Sequence, residues 1–140
     1  MNTNTLNPTT ERQDALISAF EMTRLAALAA SARTSLPDVA ATLRAKLDGA
    51  RVSQSDELLQ GVVQIGSKIR VRDLTIGREE TFRLVYPEAA DVATSQYSVL
   101  SPLGIALLGV TANTTVQFRT RLGEQRRALV LNVEDQPAKI

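Results

Sequence analysis

The sequence predicts an α+β fold: an antiparallel helical hairpin, then a mainly antiparallel sheet of about five strands with one short helix on its apolar face. Three observations lead there. Apolar side chains recur at helical spacing from Leu16 to Ala50, the period changes to two from Ile69 onward, and the stretch Gln96 to Val110, QYSVLSPLGIALLGV, holds a strand, a helix start and a helix stop in succession. The expected division is a hairpin (short coiled coil) over residues 1–52, a linker over 53–63 and a sheet domain over 64–140.

Residues 1–9 are polar and read as loose. Thr10 with Gln13 forms a capping box, so the first helix is expected from Glu11 to about Ser31. It is rich in alanine, and Leu16, Ile17, Phe20, Met22, Leu25 and Leu28 give it a broad apolar face. Ser35 with Asp38 supplies a second capping box, with Pro37 in the first turn where it is tolerated, and the second helix should run to about Arg51. Leu36, Ala40, Leu43, Leu47 and Ala50 follow the seam spacing of packed helices, while Arg44, Lys46 and Asp48 fall off it. So short a connection makes the pair antiparallel, with Arg33 and Thr34 at its tip. The polar residues between Val52 and Gly61 read as a connector.

In the second half, Ile69 and Val71 alternate with Lys68, Arg70 and Arg72, Gly77 marks a turn, and Phe82, Leu84 and Tyr86 form the next alternation until Pro87 ends it. After a loop to Ser95, Tyr97 to Leu100 is a short strand. Ser101 has a hydroxyl that can accept a free first-turn N–H, Pro102 suits the first helical position, and Gly109 can take the left-handed conformation that stops a helix. Leu103, Ala106 and Leu107 are expected on the sheet; Ile105 and Leu108 either add to the core or edge a docking surface. Val116, Phe118 and Thr120 share a face of the next strand, Gly123 turns the chain, and Leu129, Leu131 and Val133 face the core of the last. Arg70, Arg72, Arg83, Arg119 and Arg121 collect on the opposite face, near Arg126 and Arg127, as a solvated surface or a binding patch, with Glu79 and Glu80 close enough to neutralise part of it.

Composition narrows the chemistry. Sixteen basic against fifteen acidic side chains leave a net charge of +1, which names no partner. There is no cysteine and no histidine, hence no disulfide, no thiolate nucleophile, no imidazole base and no expected metal site or cofactor. No glycine-rich phosphate loop occurs, and the pairs Asp56-Glu57, Glu79-Glu80 and Glu134-Asp135 lack a shielded setting that would shift a carboxyl. No apolar run spans a bilayer and the start lacks the pattern of a signal peptide, so the expected compartment is the cytoplasm.

Three segments, VVQIGSKIRVRDL at Val62 to Leu74, TFRLVYPEAAD at Thr81 to Asp91 and YSVLSPLGIALLG at Tyr97 to Gly109, resemble the C-terminal domain of the Gre transcript-elongation factors, and more closely that of the Rnk-type regulators of nucleoside diphosphate kinase. The likeness weakens after Val110, where Thr111 to Thr114 replace a glycine-aspartate turn. It implies an FKBP-like domain behind a short helical hairpin, and a partner, RNA polymerase, contacted at the rim of its secondary channel. The matching docking positions are Asp91, Ser101, Pro102, Leu103 and Gly104. Gre factors carry acidic hairpin tips that help hold a second Mg²⁺; here the only charge between Ala29 and Pro37 is Arg33, with Asp38 assigned to the cap. The implied protein is a non-enzymatic regulator that competes with Gre-type factors without stimulating transcript cleavage and without reading nucleic-acid sequence directly. The alternatives are an FKBP-like peptidyl-prolyl isomerase or peptide-binding module, and a hairpin that self-associates; oligomeric state is open.

Overall fold

The computed structural model describes residues 14–134 of the chain. In order, the elements are β1 (Leu16–Ser18), α1 (Ala19–Ser31), α2 (Pro37–Asp48), β2 (Arg51–Ser53), β3 (Lys68–Asp73), β4 (Arg78–Val85), β5 (Gln96–Ser98), α3 (Pro102–Leu107), β6 (Thr115–Arg119) and β7 (Gln125–Glu134). One-turn 3₁₀ helices at Pro87–Ala89 and Val92–Thr94 fill the β4–β5 connection.

The first helix starts later than its alanine content suggests. The Thr10–Gln13 box lies outside the described residues, but Leu16–Ser18 are extended and pair in parallel with β2, Leu16 opposite Arg51 and Ser18 opposite Ser53. Tertiary hydrogen bonds override helix propensity here: the Leu16 N–H donates to Gly109 C=O at 3.0 Å and the Ser18 N–H to the Gln64 side chain at 3.0 Å. Ser18 is then the N-cap of α1, accepting the Phe20 N–H at 3.1 Å. For α2 the expected Ser35–Asp38 box does not form. Leu36 is the N-cap with no side-chain bond, Pro37 takes the first position, and the helix stops at Asp48 with Gly49 as C-cap, so Arg51 belongs to a strand. Joined by residues 32–36, the two helices pack on each other. Ala40, Leu43 and Leu47 are buried along the seam.

The main sheet has the order β5-β4-β3-β7-β6, antiparallel throughout except for the parallel β4–β5 pair. On β3 and on β4 as far as Leu84 the alternation behaves as expected, with Ile69, Val71, Phe82 and Leu84 buried; at the end of β4 both Val85 and Tyr86 are buried. On β7 it does not. A register shift between Arg70 and Val71 pairs Arg70 with Asn132 but Val71 with Val130, leaving Leu131 as the extra residue. Because side chains alternate with a period of two, one inserted residue changes the face of everything beyond it. Ala128 and Val130 are therefore buried, and Leu129 and Leu131, expected inward, are only half-buried.

The short helix also turns differently. Ile105, Leu107 and Leu108 are all buried, while Leu103 and Ala106 are half-buried against them. Ile105 and Leu108 are core. One contiguous apolar cluster runs from Leu25, Ala29 and Leu43 through Ile17 and Val63 to Phe82, Leu107 and Val130, so helices and sheet share it. Among the described residues no helix is long and apolar enough to cross a membrane.

Candidate docking site

β5 is only three residues long, about 10 Å of extended chain, and carries a built loop at each end. At its start, Asp91 and Gln96 exchange backbone bonds, Asp91 N–H to Gln96 C=O at 2.8 Å and the reverse at 3.0 Å. The Asp91 carboxylate accepts the Ala93 N–H at 3.1 Å, and Ser95 closes the loop in the left-handed region, φ 57°. Residues 88–95 are all exposed, Val92 at 77 %.

At the other end, the Ser101 hydroxyl donates to Ser98 C=O at 2.8 Å and accepts the Gly104 N–H at 3.1 Å, the cap expected before Pro102. Ser101, Pro102 and Leu103 are half-buried and Gly104 is fully buried. A Cβ at Gly104 would lie 2.5 Å from Ser98 O and 2.9 Å from Ser101 Oγ. Of the five positions expected to dock, Asp91 is exposed, Ser101, Pro102 and Leu103 are half-exposed, and Gly104 is buried with a packing role.

Behind the turn, two side chains whose roles sequence reasoning missed tie the helical arm to the sheet. Lys46, expected to be off the seam, reaches under α3 and donates to Ile105 C=O at 2.7 Å and Ala106 C=O at 2.8 Å, the carbonyls a short helix leaves unmet. Burial lowers its pKa to about 8. Gln64 is buried and satisfied: it accepts the Ser18 N–H and donates to Leu16 C=O at 2.7 Å and Val63 C=O at 2.9 Å. A lone polar residue inside the apolar run VVQIG was its only signal. Tyr86 forms a third tie. Its hydroxyl donates to Glu21 on α1, the Arg24 guanidinium sits 3.8 Å above its ring, and Arg24 pairs with Glu88. Burial, with the Glu21 carboxylate second, raises the Tyr86 pKa.

Part of the arginine face is self-neutralised. Arg70 donates to Glu79 at 2.8 Å and Arg72 to the same carboxylate at 3.1 Å, and these bonds hold Glu79 below its ordinary pKa. Glu80 turns away and accepts from the Tyr97 hydroxyl at 2.9 Å. Arg126 bridges Asp73 and Glu124. Arg70, Arg72 and Arg126 are thus ion-paired, whereas Arg119, Arg121 and Arg127 join no ion pair among the described residues, so the part of the face beside β6 keeps its positive charge. At the arm's turn, Arg33, Thr34 and Ser35 are exposed. Asp38, no longer a cap, is an exposed carboxylate in the first turn of α2.

The domain that carries this serine-capped Pro-Leu turn, the exposed Asp91 loop and the two packed helices is of the transcription-elongation-factor class by its family match. The family model described as "Transcription elongation factor, GreA/GreB, C-term" matches residues 58–135, and the chain belongs to that family. It is 32% identical over 99 residues to the "Regulator of nucleoside diphosphate kinase" of Escherichia coli K12, covering 71% of this chain and 73% of that protein. It is 42% identical over 77 residues to the "Transcription elongation factor GreA" of Thermodesulfovibrio yellowstonii, covering 55% of this chain and 49% of that one, so it spans about half that relative's length. Among solved structures, the transcription elongation factor GreA/GreB from Nitrosomonas europaea superposes with a TM-score of 0.70 at 27% identity, over 86% of this chain and 99% of that one.

Proposed function

We propose that this protein is a non-enzymatic transcription regulator that docks on RNA polymerase at the rim of its secondary channel, competes there with Gre-type factors and does not stimulate transcript cleavage. The observation that carries the reading is the surface held at the two ends of β5: an exposed Asp91 loop and a half-exposed Ser101–Leu103 turn, in a chain of this family. In this reading residues 64–140 form the docking domain, FKBP-like in topology, and residues 1–52 the arm.

The cleavage part of the proposal rests on charge at the arm's turn. Holding a second divalent cation takes several anionic oxygens. Here the one carboxylate near the turn, Asp38, stands five residues along the chain from the cation Arg33. Against an isomerase, the cavities of about 790 and 600 Å³ beside β6 have one aromatic side chain among their lining residues, Phe118, while Phe82 is buried and stacked on Tyr97.

The test is equilibrium binding to core RNA polymerase, with and without a Gre-type competitor. Asp91→Asn keeps the loop cap but removes its charge, and Pro102→Ala removes the rigid edge of the turn. Each should weaken binding about tenfold, roughly 1.4 kcal/mol. Unchanged affinity in both variants would sink the docking reading, and strong activation of cleavage in stalled complexes would sink the second half of the proposal.

A further inference from the structure

β6 is the terminal strand of the sheet, so one of its two edges is unpaired. The bonds flanking it fix which backbone groups point outward. Val130 N–H donates to Thr114 C=O at 2.9 Å, and Thr120 N–H donates to Glu124 C=O at 2.8 Å. Bonded residues alternate along an antiparallel pair, so Val116 and Phe118 face β7, and Thr115, Gln117 and Arg119 turn their N–H and C=O groups away from the sheet. Edge strands are normally blunted by proline, a bulge or a covering element. β6 carries no proline, its pairing with β7 runs without a bulge, and the element packed beside it, α3, leaves Gln117 and Arg119 exposed.

Beside this edge runs a groove. Two cavities of about 790 and 600 Å³ adjoin one another, sharing Lys46, Ala106 and Gln117 in their walls, and between them they follow β6 from Thr115 to Arg119. Pro37, Val39 and Pro102 line the apolar end, with Phe118 across from them. The charge is one-sided: Lys46, Arg51, Arg119, Arg121 and Arg127 against Asp14 and Asp38. Among the described residues, Arg51, Arg121 and Arg127 make no ion pair. A second copy of the chain laid on this edge would set Arg119, Arg121 and Arg127 against their own kind. An acidic occupant would meet an excess of positive charge, five basic groups against two carboxylates.

We propose that β6 accepts an extended acidic peptide segment of a partner protein as a sixth strand. Its backbone pairs with the outward groups of Thr115, Gln117 and Arg119, its carboxylates meet Arg121 and Arg127, and its apolar side chains enter beside Phe118 and Pro102. Such strand addition takes affinity from the backbone and selectivity from alternate side chains.

The experiment uses the full chain and a labelled peptide of alternating glutamate and valine, with two controls: the same peptide N-methylated at alternate amides, and a lysine–valine peptide. Saturable binding of the glutamate peptide is expected, with slowed amide exchange at Thr115, Gln117 and Arg119 and at least about tenfold weaker binding of both controls. Gln117→Pro removes one outward N–H without touching a bond to β7 and should lose about tenfold with its thermal melt unchanged. Arg121→Glu with Arg127→Glu should reverse the preference between the charged peptides. Asp91→Asn should bind the peptide normally while losing polymerase affinity, which separates this site from the Asp91 end of the polymerase-docking surface; Pro102 lines both. Equal binding of the N-methylated peptide, absence of binding at about millimolar peptide, or β6 amides already protected in a dimer of the free protein would each overturn the proposal.

Discussion

Ser101, Gly104 and Lys46 show how single side chains fix the geometry around the turn. The Ser101 hydroxyl both donates and accepts within three residues, so Ser101→Ala leaves a first-turn N–H unmet and should cost about 1 kcal/mol in urea denaturation. Gly104→Ala is expected to cost more, about 2–3 kcal/mol, because its Cβ meets the Ser98 carbonyl, a backbone atom that cannot rotate away. A Gly104→Ala protein as stable as the parent would show that the turn can open. Lys46 gives a prediction in pH. Its folded pKa of about 8 lies below the ordinary 10.5, so between those values the unfolded chain holds a proton that the folded one has released. This group therefore makes folding more favourable as pH rises from 8 toward 10.5. The stability difference between wild type and Lys46→Met should move in favour of wild type between pH 7.5 and 9.5, by about the same sign at every salt concentration tested; a flat difference would mean that Lys46 is not buried in solution.

At the scale of elements, β1 is the instructive case. Residues 16–18 sit at the start of an alanine-rich helical pattern, yet they are extended because Gln64, Gly109 and β2 offer hydrogen bonds that a helix would forgo. Nothing within the first thirty residues reports those distant partners, so the helix start was legible only to within a few turns. Gln64→Leu removes two of these bonds, to Ser18 and Leu16, and a third to Val63 while keeping the volume, and should speed amide exchange at Leu16–Ser18 before it affects β3 or β4. Uniform loss of protection would show that β1 is not a separate unit. The strand pairs β3–β4 and β6–β7 were legible because alternation and turn glycines are local signals, with Gly77 and Gly123 both at positive φ. The inserted residue on β7 has no such signature. LVLNV reads equally well in either register, and only pairing with Val71 selects Val130 over Leu131 for the core.

The molecule as a whole is organised around one core. Leu25 and Leu43 of the helices belong to the same apolar cluster as Ile69 and Val130 of the sheet, and Lys46, Gln64 and Tyr86 add polar ties across the boundary. Thermal unfolding followed by far-ultraviolet dichroism and by tyrosine emission should therefore show one coincident transition. An arm that melts ahead of the sheet would contradict this. The same arrangement explains what of the candidate site could be read in advance. Serine, proline and glycine at fixed offsets announced the Ser101 turn from local chemistry alone, and the structure reproduces that cap. Which side of the helix is free depends on where the sheet and Lys46 lie, and Ile105 and Leu108 went to the core on that account.

By itself, then, the sequence determined the class of fold, the alternation of β3 and β4, the capped turn and the family, since each rests on residues close together in the chain. Tertiary structure decided the start of α1, the face of β7, the burial of Gly104 and the groove along β6. Those depend on hydrogen bonds and packing between segments tens of residues apart, and no local pattern encodes the partner of a backbone group before the chain has closed around it.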